Sequence, residues 1–176
     1  VREYGQERLE SSSEAEEMRQ RLAAWCLSLA EEMQPDLFGG TLPLHAVVRL
    51  QKELPNLRAA VTWLLDHGEA TKVLRLLTAT EDYWTQQHFS NVELRGWLET
   101  ALAAAPDAPA TDRALAHWFL ASMSAQLGQG EEAGVYAQQA LMAAQESSDP
   151  HLLGLAQYIV GVAWDYRGDL DRAAAA

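Results

Sequence analysis

The chain has 176 residues, of which 48% are apolar, so it can bury a sizeable core in one or two domains. Its 13 basic and 25 acidic side chains give a net charge of −12, which disfavours direct contact with nucleic acid or with an anionic membrane. The single cysteine, Cys26, excludes an intrachain disulfide, and no apolar run reaches the roughly 18 residues of a membrane span. With a polar N-terminus, these features predict a cytoplasmic location.

The first predicted helix begins after residues 1–13, which we assign to the end of an upstream module or to a linker. Ser13 and Glu16 have the spacing of a capping box, which marks a helix N-terminus. Steps of three and four residues then predict one apolar helical face, formed by Met18, Leu22, Trp25, Leu29 and Met33. We expect this face to lie in the core.

Proline and glycine predict the ends of the next helices. Leu54-Pro55 predicts a break, because the residue before proline avoids the helical region. Pro55 then lies near the first turn of a helix that stops at His67-Gly68. A helix from about 69 to 88 follows.

The next helix spans about 91–105 and ends in a loop, Pro106-Asp107-Ala108-Pro109, which predicts the clearest internal boundary. We therefore divide the chain into an N-terminal helical part over 14–109 and a repeat region over 110–176. The second repeat is incomplete, so we expect the repeats to continue in a longer protein.

A step of 40 residues organises the repeat region. It separates Leu120 from Val160, Gly128 from Gly168 and Ala133 from Ala173. A fixed step of this size indicates stacked helical hairpins, and glycine is typical of the left-handed residue that ends a helix. Residues 89–102 form a weaker copy, in which Phe89 replaces the glycine. We predict an all-α fold, an α-solenoid of antiparallel helix pairs.

The pattern Leu120-Ala121, Gly128, Ala133, Ala140-Leu141 resembles the tetratricopeptide (TPR) signature in a 40-residue form. Three further stretches resemble parts of bacterial STAND-type ATPases, many of which are LuxR-type transcriptional regulators. Residues 1–9 resemble the end of their winged-helix module, residues 53–63 the first helix pair of their sensor domain, and residues 96–102 the following helix. All four occur in the family's order, so the resemblance covers the whole chain.

The resemblance implies a right-handed TPR-like superhelix that acts as the sensor of a regulator with an upstream ATPase. Such an array binds an inducer or a partner protein and controls the ATPase. The 176 residues contain no Gly-Lys-Ser/Thr phosphate loop, so we expect this array to be non-catalytic. The alternative hypothesis is a TPR-like scaffold or oligomerisation module without a small-molecule ligand, in which the chain forms a homo-oligomer.

The family's spacing also implies a binding groove along the first helix of each pair. It places there Leu115, Trp118, Ser122 and Ala125 of one repeat and Leu155, Tyr158, Val162 and Asp165 of the next. Trp118 and Tyr158 are equivalent positions, and their rings could stack on a peptide side chain or an apolar ligand. The competing interpretation is that both rings pack against neighbouring helices as core.

Other chemistry-bearing residues have simpler interpretations. The five histidines lack the spacing of a metal motif, so we expect neither a metal nor another cofactor. Adjacent carboxylates such as Glu131-Glu132 diverge on a helix, and we expect them to be solvated rather than catalytic. We expect Trp25, Trp63 and Trp97 to be core residues.

Overall fold

The computed structural model describes residues 14–37, 43–86 and 91–169, and helices joined by short turns and loops form this part of the chain, with no strand in it. The helices are α1 (Glu14–Leu37), α2 (Leu44–Asp66), α3 (Ala70–Ala79), α4 (Glu81–Gln86), α5 (Asn91–Ala104), α6 (Ala110–Gln126), α7 (Gly130–Ser147) and α8 (Pro150–Tyr166). The predicted all-α class is therefore confirmed. None of these helices is both long and apolar enough to cross a membrane. The predictions for residues 1–13, for the cap at Ser13 and for His88, Phe89 and Ala173 lie outside the described residues.

Helices α6 and α8 reproduce the 40-residue step. Both have 17 residues, and the first and last residues of α8 lie 40 positions after those of α6. Helix α7 packs against both of them, and α6 also contacts α8 directly. The C-terminal part of the described chain is therefore a helical repeat in which consecutive helices are neighbours.

One turn geometry occurs three times. Gly68, Gly128 and Gly168 follow α2, α6 and α8 with φ of +72°, +72° and +77°. In each turn the glycine N–H donates to the carbonyl three residues back, at 2.9–3.2 Å, and the next N–H donates to the carbonyl five residues back, at 2.9–3.0 Å. This is the Schellman arrangement, and glycine adopts its positive φ without a steric penalty. The turn at Gly68 has no counterpart in the 40-residue pattern.

Two predicted helix boundaries are wrong. Helix α2 continues through Pro55, which lies on its exposed side, because Leu50 and Leu57 on either side are both buried in the core. That burial offsets the missing N–H hydrogen bond of the proline. The helix predicted over 69–88 is interrupted at Thr80, whose hydroxyl donates to the carbonyl of Leu76 at 2.8 Å and accepts from Trp84 Nε1 at 2.8 Å.

The buried face of α1 also differs from the predicted one. Leu29 and Met33 are buried as predicted and Leu22 packs against the core, but Cys26 with Ala23 and Ala30 is also buried, whereas Trp25 is 43% exposed and Met18 is 49% exposed. Small side chains on that face allow close approach of the helices that pack on α1, so the buried face is centred nearer to Cys26 than predicted. Burial, with a smaller effect of the Glu53 carboxylate, raises the pKa of the Cys26 thiol to about 12.

Three groups of buried side chains form the core. The largest group contains side chains from all six helices α1 through α6, including Phe119, Leu120 and Met123 of α6. One core therefore extends across the loop at 106–109. The second and third groups are alanine-rich and join α6, α7 and α8. Alanine at these contacts lets helix axes approach closely, so small residues rather than large ones hold the repeat region together.

Candidate functional site

The two aromatic residues of the predicted groove have different surroundings. Trp118 is half-buried and packs against all three core groups, and its buried indole Nε1 has no hydrogen-bond partner among the described residues. Tyr158 occupies the equivalent position in α8 but is 66% exposed. Trp118 therefore contributes to packing between helices, and Tyr158 offers a ring to solvent.

The other predicted groove residues divide in the same way. Leu115 and Leu155 are half-buried against the third core group, and Val162 is half-buried against the second. Ser122 is half-buried, Ala125 is buried and Asp165 is exposed near the end of α8. The groove itself stays a prediction, and its solvent-facing members are Tyr158 and Asp165.

A cleft that the sequence did not reveal opens between α7 and α8. Its volume is about 480 Å³. Its lining consists of Gly134, Val135, Ala137, Gln138 and Gln139 of α7, and Val160, Ala163, Trp164 and Arg167 at the end of α8 and just after it. None of the predicted groove residues lines it. The floor is apolar, since Ala137, Val160 and Ala163 are buried, and the cleft therefore suits an apolar side chain or ligand.

Arg167 closes one end of this cleft. Its guanidinium donates to the carbonyl oxygens of Gly130 and Glu131 at 3.1 and 3.0 Å and to the Glu131 carboxylate at 2.7 Å. It also lies 4.9 Å from the centre of the Trp164 ring. A Cβ atom on Gly134 would lie 2.7 Å from a guanidinium nitrogen, so this glycine makes the close approach possible. Arg167 thus fixes the C-terminal end of α8 against the start of α7.

A second arginine joins α5, α6 and α7. Arg95 donates to the Glu132 carboxylate at 2.7 Å and to the Ser124 hydroxyl at 2.5 Å. The Tyr136 hydroxyl donates to Glu99 at 2.7 Å, and burial together with this carboxylate raises the pKa of Tyr136 to about 12. Glu131 and Glu132 are each ion-paired with an arginine, and their side chains are 92% and 40% exposed, so they stay in contact with solvent as predicted. These contacts join the helices that carry them.

His117 lies beside this network and is held neutral. Burial, with a smaller effect of the positive charge of Arg113, lowers the pKa of His117 to about 4. Its ring lies 6.3 Å from that of Tyr136, and its buried Nδ1 has no hydrogen-bond partner among the described residues. Within those same residues, no group of three or more His, Cys, Asp or Glu side chains is arranged to hold a metal ion.

Trp63 forms a polar cluster between α1 and α2. Its indole Nε1 donates to the Glu16 carboxylate at 2.8 Å, and its ring stacks on that of His67 at 4.2 Å. His67 Nε2 lies 2.9 Å from the same carboxylate, and Nδ1 lies 2.7 Å from the Trp63 carbonyl oxygen. Trp63 also packs against the main core, as predicted, and shallow clefts of about 390 and 270 Å³ lie on either side of it. The cluster joins the N-terminus of α1 to the C-terminus of α2.

Comparison with protein-family models, with curated proteins and with solved structures gives no match for this chain.

Proposed function

We propose that this chain is a non-catalytic sensor domain that binds an inducer or a protein partner at the open side of a helical repeat. The observation that supports it is the contrast between Trp118 and Tyr158. Both occupy the same repeat position, but only Trp118 is packed against core groups to which α8 contributes. A bound molecule would contact the exposed ring of Tyr158.

The proposal includes a TPR-like α-solenoid with a right-handed superhelix. Support comes from the equal lengths of α6 and α8, from their 40-residue offset and from the Schellman turn that follows each of them. Continuation of such a stack would present the first helix of every pair on one side, which is where Tyr158 and Asp165 would face a ligand. The apolar cleft between α7 and α8 is a second place where an inducer would fit.

We also propose that the domain belongs to a cytoplasmic bacterial transcriptional regulator of the STAND or LuxR type. The basis is the resemblance of four ordered sequence stretches to that class. Binding at the repeat would change how the array packs on an upstream ATPase and would shift the equilibrium between inactive and active forms. The nearby carboxylates support a non-catalytic role, because Glu99, Glu131, Glu132 and Glu146 each contact a neighbouring side chain.

Native mass spectrometry of the chain purified from its own host tests this proposal. We expect an additional mass, a small molecule or a protein, that is lost on unfolding. Tyr158→Ala should remove that mass, whereas Tyr166→Ala should retain it, because Tyr166 is a similarly exposed tyrosine outside the predicted groove. Equal retention by both variants would contradict the proposed site.

A scaffold without a small-molecule ligand is the second candidate function. It is favoured by the exposed apolar side chains of α1 and α2, which lie outside the repeat region: Met18, Trp25, Leu44 and Val48. In native mass spectra this candidate predicts a defined multimer of the chain with no additional mass.

A further inference from the structure

Two cations of the described residues have no carboxylate partner among those residues. The described residues contain ten Arg and Lys side chains, and eight of them lie within 4.0 Å of a Glu carboxylate. The remaining two, Arg49 and Lys52, lie three residues apart on α2, and both are exposed. Residues three positions apart lie on the same face of a helix. The first half of α2 therefore carries the only unpaired basic patch of the described chain.

Exposed apolar side chains accompany these cations. Leu44 is 77% exposed and Val48 is 40% exposed, and with Lys52 they follow one another at steps of four residues. We call Leu44, Val48 and Lys52, with Arg49 beside them, the α2 line. Its combination of apolar and cationic groups fits a partner surface that is apolar and anionic.

Helix α1 carries the complementary combination. Met18 and Trp25, both exposed, lie seven residues apart, and Glu32 follows after seven more. Glu14 lies one turn before Met18, and neither Glu14 nor Glu32 has an ion-pair partner among the described residues. We call Glu14, Met18, Trp25 and Glu32 the α1 line. A seven-residue spacing keeps side chains on one side of a helix.

We propose that a second copy of this chain binds here, with the α1 line of one copy against the α2 line of the other. Trp25 and Glu32 are about 10.5 Å apart along α1, and Leu44 and Lys52 are about 12 Å apart along α2. Trp25 can therefore contact Leu44 and Val48 while Glu32 reaches Lys52 and Arg49. Extended polyanions such as nucleic acid are disfavoured as occupants, because the net charge of −12 repels them.

The contact area that these two lines provide is small, and we expect a concentration-dependent dimer rather than a permanent one. The surface lies on α1 and α2, so the inference holds whether or not the repeat region binds an inducer. It also differs from assembly through the last helix, because α8 contributes no residue to either line.

Reciprocal charge reversal tests the contact. Sedimentation equilibrium of the whole chain should show a monomer–dimer equilibrium, and Lys52→Glu and Glu32→Lys should each raise the dissociation constant by at least about tenfold. Each variant alone places like charges at the contact. An equimolar mixture of the two variants restores opposite charges at both contacts, and we expect it to dimerise as the unmodified chain does.

Two further measurements complete the test. The double variant Gln145→Glu/Gln157→Glu makes the same change in net charge as Lys52→Glu at exposed positions outside both lines, and it should dimerise normally. Circular dichroism should show unchanged helicity, since Glu32 and Lys52 are exposed and without ion-pair partners among the described residues. A chain that stays monomeric at all concentrations, a dimer unaffected by either reversal, or a mixture that stays monomeric would each overturn the proposal.

Discussion

Trp118 of α6 and Tyr158 of α8 lie 40 residues apart at the same position in their helices, but Trp118 is packed against three core groups and Tyr158 is 66% exposed. The two residues therefore have different consequences when they are truncated. Trp118→Ala removes packing inside the protein, whereas Tyr158→Ala removes only surface.

We expect Trp118→Ala to lower the free energy of unfolding by about 2–4 kcal/mol, because it leaves a cavity between α6 and its neighbours. Tyr158→Ala should change it by less than about 0.5 kcal/mol. Urea denaturation followed by circular dichroism measures both values. Equal destabilisation by the two variants would show that Tyr158 is covered.

The glycine beside Arg167 provides a second prediction. Gly134→Ala places a methyl group against the flexible end of Arg167 and displaces its hydrogen bonds to Gly130 and Glu131, so we expect a net loss of stability of about 1 kcal/mol or less. Gly154→Ala is the matched control, because Gly154 also lies within a helix but has open space around its Cβ position. That control should stabilise the protein by about 0.5–1 kcal/mol through the higher helix propensity of alanine. The prediction fails if both substitutions are stabilising.

Half-buried and exposed ion pairs should contribute differently to the free energy of unfolding. Arg95→Met leaves the Glu132 carboxylate without its cation in a half-buried position, and we expect a cost of about 1–3 kcal/mol. Arg21→Met breaks an exposed pair with Glu17 and should cost less than about 0.5 kcal/mol. Thermal unfolding of both variants provides the comparison. Replacing Glu132 by Gln in the Arg95→Met background should recover part of the loss, and no recovery would count against the assigned pairing.

His117 makes the stability depend on pH in a predictable direction. Its folded-state pKa of about 4 lies below the ordinary value of 6.5, so the unfolded chain binds more protons between these two values. The contribution of neutral His117 is therefore complete above pH 6.5 and is lost progressively as the pH falls towards 4. Among the described residues it faces the Arg113 guanidinium and the ring of Tyr136, whose pKa is raised to about 12.

Between pH 7 and pH 5 we expect His117 to account for a loss of about 1 kcal/mol, after a reduction for partial exposure. His117→Gln removes the titrating group, so the unmodified chain should lose more stability than the variant over this interval. Urea denaturation at the two pH values measures the difference. Equal losses would show that the imidazole is solvated in the folded protein.

The sequence predicted the fold class and the repeat, because both depend on local signals. Gly128 and Gly168 end their helices with positive φ, a conformation that favours glycine, so the residue type itself predicts the helix end. The 40-residue step can be read directly from the positions of these glycines in the sequence. The predicted core face of α1 was wrong at Met18 and Trp25, because Trp25 and Cys26 are adjacent and the choice between them depends on which neighbouring helix packs closely. The helix break predicted at Pro55 was wrong for a similar reason. The hydrogen bond that the proline cannot donate is offset by burial of other side chains of α2 against the core.

The contacts of the candidate site were less accessible to sequence reasoning. Arg95 and Glu132 are 37 residues apart, and Arg167 and Glu131 are 36 apart, so no helical spacing connects them. The cleft between α7 and α8 depends on Gly134 and Arg167 meeting across two helices, and neither residue alone predicts it. The exposure of Tyr158 likewise depends on what packs beside α8, which the repeat pattern does not specify.

Photo-crosslinking from position 158 tests the central claim most directly. A benzophenone amino acid replaces Tyr158 in the chain expressed in its own host, and a parallel protein carries the same group in place of Tyr166. We predict one defined product, a small molecule or a protein, from position 158 and not from position 166. The same products from both positions, or none from position 158, would contradict a binding site at the open side of the repeat.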